Sequence, residues 1–253
     1  MRVALIAGGQ PRFTQELLRL FEQLQGFDTA DLYLTFWSTG WADNNSAVAH
    51  DKIKSILPSK YNLVKVQIVD QPLYNLPPHV KEHPPEQYPN VHWAYKRRLG
   101  MWLSTKMSFD LIQDHYDAVI KFRPDGMLTN DLKIDKLDID SNELLFPNYP
   151  RNGNPGSELC DQFVVGTHEG LKMYSSLVDS FEEYVPQVCP DWEDDIHKWA
   201  SEHILAHHLK VNGRVPLLGN YGHILAGSPG AVTQGKNPYT DNHPHHRIIQ
   251  GII

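Results

Sequence analysis

The chain has 253 residues, enough for one large α/β domain with a sizeable core. Its net charge of −7, with histidine neutral, argues against a broad nucleic-acid-binding surface. The two cysteines, Cys160 and Cys189, form neither a C-x-x-C pair nor a zinc framework, so free thiols in a reducing compartment are expected.

Val3 to Ala7 is a continuous apolar run, as in a strand covered on both faces. It is too short for a signal-peptide core or a membrane span, and a cytoplasmic protein without transmembrane segments is expected. Gly8-Gly9-Gln10-Pro11-Arg12 follows, then a helix capped by Thr14, striped by Leu17, Leu18, Phe21 and Leu24, and ended by Gly26. Strand, glycine turn and helix is the form of a phosphate pocket, because small residues let backbone N–H groups approach an anion. The turn is neither G-x-G-x-x-G nor a P-loop, and a tight turn without a ligand accounts for it equally well.

Asp31 to Trp37 reads as a second strand, Ala47 to Leu57 as a helix, and Leu63 to Val69 as a third strand. Repeated strand–helix units predict an α/β fold, a mostly parallel central sheet with helices on both faces. The proline-rich stretch from Pro72 to Pro89 reads as a long loop. His79 and His83 lie in it four residues apart, but outside a helix that spacing does not make them a metal pair. His92 to His115 reads as a long helix whose Lys96, Arg97, Arg98 and Lys106 form mainly a solvated face.

Ala118 to Phe122 is a short apolar run that stops at Arg123-Pro124-Asp125-Gly126. Pro124 cannot donate to a ladder and Gly126 permits a tight turn, so Arg123 and Asp125 are presented at the strand's carboxyl end. Ligands of open α/β sheets bind at such ends, and an arginine with a carboxylate suits a phosphate-bearing ligand. A structural Arg–Asp pair capping the turn is the equal alternative.

Leu128 to Asp140 reads as a surface excursion, Glu143 to Pro147 as a short strand, and Leu159 to Gly166 as a strand with polar residues at its start. His168 to Tyr184 and Asp191 to Lys210 read as helices, and Arg214 to Leu218 as a last strand. His203 and His207 are one helical turn apart, but the pattern is not H-E-x-x-H, and packing histidines are expected there. One domain spanning residues 1–253 is expected, with an irregular tail from about residue 219.

Four segments carry a likeness to a known group. They are Ala7-Gly8-Gly9-Gln10-Pro11-Arg12, Asp31 to Trp37, Tyr116 to Asp125, and Asp161-Gln162-Phe163-Val164-Val165-Gly166 with a following helix containing Met173-Tyr174. In this order the chain resembles small bacterial and viral glycosyltransferases of the GT-A fold that serve polysaccharide and lipopolysaccharide synthesis. A weaker likeness lies in Ser201-Glu202-His203-Ile204-Leu205 with His208-Leu209, where serine stands in place of proline.

The resemblance implies a nucleotide-sugar donor and a hydroxyl acceptor, most simply a glycan. It implies a nucleotide cradle at Gly8, Gly9, Gln10 and Arg12, and diphosphate charge met by Arg123 and by Asp125, the latter with Mg²⁺ or Mn²⁺. Asp161 is the first candidate for general base or sugar contact and Glu202 the second. The fold's usual Asp-x-Asp reads Arg123-Pro124-Asp125 here, which leaves one carboxylate for a metal and lets Arg123 take part of the diphosphate charge. Viral members of such groups make a modified-DNA acceptor conceivable, against which the negative net charge weighs. The rival readings are a methyltransferase-like cofactor-binding α/β protein, in which Asp31 would matter, and a glycan-binding subunit without turnover.

Overall fold

The computed structural model describes residues 1–10, 15–38, 46–72, 89–147, 159–188, 201–219, 223–225 and 247–249. Arg12, the proposed cap Thr14, the proline-rich stretch from 73 to 88, and most of the tail lie outside them.

The first half is built from strand–helix units. They are β1 (Val3–Gly9), α1 (Gln15–Gln23), a two-residue strand β2 (Leu24–Gln25), β3 (Ala30–Trp37), α2 (Ser46–Ile56), β4 (Tyr61–Val69) and α3 (Pro89–Asp110). Then come β5 (Ala118–Lys121), β6 (Gly126–Leu128), β7 (Leu132–Lys133) and β8 (Glu143–Pro147). The chain continues through β9 (Val164–Gly166), α4 (His168–Ser175), α5 (Leu177–Val188), α6 (Ser201–Val211) and β10 (Val215–Gly219). Two short strands, β11 (His223–Leu225) and β12 (Arg247–Ile249), lie within the stretch expected to be irregular.

The main sheet has the order β12-β10-β8-β9-β5-β1-β3-β4. Every neighbouring pair is parallel except those made by β9, which runs antiparallel to both β5 and β8. The expected α/β architecture with a mostly parallel sheet is therefore present.

Strand β1 is buried on both faces, as its unbroken apolar run requires. Val3, Leu5 and Ala7 join one core with Leu17, Leu20 and Phe21 of α1 and Ala49 and Ile53 of α2. Ala4 and Ile6 join the other, with Leu99, Trp102 and Phe109 of α3 and the apolar sides of α4, α5 and α6. Helices α1 and α2 thus cover one face and α3 to α6 the other. The chain leaves β1 toward β3 and β4 along the first face, then crosses by α3 to β5 on the other side of β1. The direction of winding reverses between β1 and β5, which makes a topological switch point there.

Three expectations need correction. The 128–140 segment is not a surface excursion: Leu128, Leu132 and Ile134 are buried in the first core, and β7 pairs with β2. Leu128, Leu132 and Ile134 alternate with polar residues, the short 3-10 turn at Ile134–Lys136 shifts the phase, and Leu137 and Ile139 pack on the same core. The single helix expected from His168 to Tyr184 is two, α4 and α5, separated at Ser176. The strand expected from Leu159 begins only at Val164, because residues 161–163 turn to bring Asp161 inward.

Candidate functional site

The carboxyl ends of β1 and β5 lie side by side. Ile6 pairs with Lys121, and the Phe122 N–H donates to the Ile6 carbonyl at 3.0 Å. Gly8 and Gly9, expected in a turn, instead close β1 and pair with Thr35 and Phe36 of β3. With the Arg-Pro-Asp-Gly turn after β5 they flank the crevice expected at such a switch point. The Gly126 N–H donates to the Arg123 carbonyl at 3.0 Å, closing a four-residue turn with proline at its second position.

Gly8 and Gly9 need to be glycine for different reasons. A Cβ at Gly8 would lie 2.5 Å from the Ser104 carbonyl oxygen of α3. Ser104 and Ser108 are buried one helical turn apart, and the Ser108 hydroxyl donates to the Ala7 carbonyl at 2.8 Å. Small residues on both sides let α3 approach β1 closely. Gly9 has φ +107°, a conformation L residues rarely adopt, and little stands over it. Gln10 follows it, partly exposed.

Arg123 grips Asp125 with two parallel hydrogen bonds, Nε to Oδ1 at 2.6 Å and Nη2 to Oδ2 at 2.9 Å. The Asp125 side chain is 8% exposed and the Arg123 side chain 26%. The fork fixes the guanidinium plane and leaves its other N–H groups for an incoming anion. Both oxygens of Asp125 are engaged by Arg123.

Alternation along the chain puts Lys121 on the same side as Arg123. Lys121 is buried, and its ammonium donates to the main-chain carbonyl of Asp161. Burial pushes its pKa down to about 8, against the opposing pull of Asp161, Cys160 and Asp125; Arg123 lowers it further. One ammonium thus senses Arg123, Asp125 and Asp161 together. The Tyr174 hydroxyl of α4 donates to the same Asp161 carbonyl at 3.1 Å, and Ser201 of α6 donates to its carboxylate. Glu202, in the first turn of α6, is buried and close enough to contribute to raising the Tyr174 pKa, together with the larger effect of burial. Burial also pushes the neighbouring Cys160 thiol up to about 12, so it is no thiolate at neutral pH.

The structure therefore brings Gly8, Gly9, Gln10, Arg123, Asp125 and Asp161 to one end of the sheet, with Glu202 against the buried side of the Asp161 cluster. Lys121, Tyr174 and Ser201 lie in the segments that carry the likeness, but nothing in the sequence assigned them a site role. The available signal was the lysine itself, a charge inside an otherwise apolar strand. Lys106, read as one of a cationic row, pairs with Asp110 and Asp179 instead. His207 packs edge-on against Tyr184 at 4.8 Å, and His208 bonds the Met173 carbonyl at 2.8 Å, the packing roles expected of that histidine run.

Two features lie at the opposite end, by the amino end of β5. His115, His168 and Glu169 bring their ligand atoms within 4.8 Å of one another. A shallow cavity of about 270 Å³, lined by Glu169, Lys172, Met173, Ser176 and Arg214, lies beside them and not at the crevice.

Among the described residues no helix is long and apolar enough to cross a membrane. No protein-family model matches the chain, and no curated protein sequence matches it.

Proposed function

We propose that the protein is a glycosyltransferase of GT-A type that moves a sugar from a nucleotide-diphosphate donor to a hydroxyl acceptor, most simply a glycan. The carrying observation is that the Gly8–Gly9 end of β1 and the Arg123–Asp125 fork flank the switch point between β1 and β5, where open α/β sheets place their ligands. The mostly parallel sheet agrees with that fold. The methyltransferase-like reading gave weight to Asp31, yet Asp31 starts β3 at the other end. There its carboxylate accepts from Tyr116 at 2.5 Å and Asn62 at 2.9 Å.

In this reading Arg123, preset by Asp125, meets the charge that builds on the leaving diphosphate. Gly9 and Gln10 let backbone N–H groups approach the nucleotide. Asp161, clamped through its main chain by Lys121 and Tyr174 and through its carboxylate by Ser201, aligns the acceptor hydroxyl. Where the reaction inverts, Asp161 takes the acceptor's proton.

The described site sets the cations Lys121 and Arg123 against the carboxylates Asp125, Asp161 and Glu202. These five groups carry no surplus positive charge for a diphosphate, so further counter-charge is needed, for which Arg12, a cation of α3 or a divalent ion are the candidates. Mg²⁺ or Mn²⁺ fits Asp125 only if Arg123 releases one carboxylate oxygen, since both are taken.

Thermal shift tests the reading. A UDP-, GDP- or CDP-sugar is expected to raise Tm, with Mn²⁺ enlarging the effect if the ion shares Asp125. Stabilisation by S-adenosylmethionine and by none of the sugar donors overturns it. Release of free sugar from the stabilising donor separates an enzyme from a binder without turnover.

A further inference from the structure

We propose that His115, His168 and Glu169 form a separate binding site for a Zn²⁺-class divalent transition-metal ion at the amino end of β5.

Two imidazoles and one carboxylate are a donor set for Zn²⁺, Co²⁺ or Ni²⁺, and a poor one for Mg²⁺. The three ligand atoms already lie within 4.8 Å of one another. Around an ion with bonds of about 2.0–2.2 Å, ligand atoms sit within about 4 Å of each other. The remaining gap is about 1 Å, and His115 and Glu169 are exposed side chains with room to turn.

The imidazoles are held near one another by different parts of the chain. His168 opens α4, whose Thr167 cap accepts from the Gly170 N–H at 3.2 Å. His115 lies in the connection between α3 and β5. The His115 and His168 ring centroids are 4.9 Å apart with the planes tilted by 34°, and the His168 ring centroid lies 5.2 Å from that of Phe109. His168 Nδ1 is buried and has no hydrogen-bond partner among the described residues. A buried ring nitrogen without a partner is costly, and an ion or its bound water would give it one. The start of α4 disfavours a cation, as do Lys172 one turn on and Arg214 across the adjoining cavity. Glu169 supplies the opposing charge.

Strand β5 and its flanking residues separate this cluster from Arg123 by about 20 Å at ~3.3 Å per residue. The site is thus independent of the crevice and of the reaction proposed there. Three protein ligands leave positions for water, and a bound ion would tie the α3–β5 connection to α4.

Co²⁺ titration of the full chain, read by its ligand-field absorbance and reversed by Zn²⁺, tests the site. Three further proteins are compared: His115→Ala/His168→Ala, Glu169→Gln, and, to exclude the histidine-rich stretch near the C-terminus of the sequence as the ligand source, His243→Ala/His245→Ala/His246→Ala. The wild type is expected to bind one Co²⁺, and the first variant to lose at least about tenfold in affinity. Glu169→Gln alters an exposed side chain and should weaken binding without unfolding, so it decides the matter if the double variant misfolds. The triple variant should bind as the wild type does. No spectral change in the wild type overturns the proposal. So does a His115/His168 variant that folds and binds normally, an unchanged Glu169→Gln where the double variant misfolds, or loss of binding in the triple variant.

Discussion

Lys121 shows how a single residue couples stability to the site. Its pKa is about 8 in the fold, against an ordinary value of 10.5. Between those values the unfolded chain binds more protons, so stability rises with pH. The cost of the buried ammonium is full below about pH 8 and relieved above it, up to about 3 kcal/mol. From pH 8 to 10 the denaturant midpoint of the wild type should hold up better than that of Lys121→Met, because only the wild type is relieved of the buried ammonium. Cys160, pushed up to about 12, and Tyr61, Tyr116 and Tyr174, all raised mainly by burial, act the other way in both proteins: they lose protons first in the unfolded chain, so their contribution to stability falls as pH rises. The same substitution removes one clamp on Asp161 and should lower turnover. Arg123→Ala should weaken donor binding about tenfold or more, whereas Asp161→Asn should lower turnover with donor affinity little changed. Isothermal titration with the stabilising donor, alongside initial rates, separates these outcomes.

At the scale of elements, the close approach of α3 to β1 sets the floor of the crevice. Gly8→Val would drive a branched side chain into the Ser104 backbone, which cannot swing aside. A loss of roughly 1–3 kcal/mol or more is expected in urea unfolding. The 128–140 segment gives a second test. Leu132 is fully buried, so Leu132→Ala should cost about 2–5 kcal/mol. A surface excursion would tolerate the same change within about 0.5 kcal/mol. The apolar periodicity of that segment was legible, but its many charged residues and its short, broken strands masked it. The break between α4 and α5 was not legible, because Ser176 carries no proline or glycine signal.

Across the whole molecule, one sheet with two cores puts the crevice at one end and the histidine–glutamate cluster at the other. The short segments on either side of β5 serve both ends. Phe122 shows the dependence: it is buried against Phe21, with ring centroids 5.7 Å apart, directly before Arg123. Phe122→Ala should cost about 3–5 kcal/mol and also loosen the Arg123–Asp125 fork. Donor affinity should then fall even at temperatures where the variant is fully folded by circular dichroism.

Local patterning alone determined the strand–helix alternation, the buried β1, and the abrupt stop of β5 at Arg123-Pro124-Asp125-Gly126. Those features rest on hydrophobic period and on the backbone limits of proline and glycine, which act within a few residues. Only tertiary structure decided that β1 and β5 are neighbours and that β9 runs backward between β5 and β8. It alone placed Lys121, Tyr174 and Ser201 on Asp161, and His115 beside His168. Those pairings join residues tens of positions apart, and they depend on which faces of the sheet the helices cover, which no local pattern encodes.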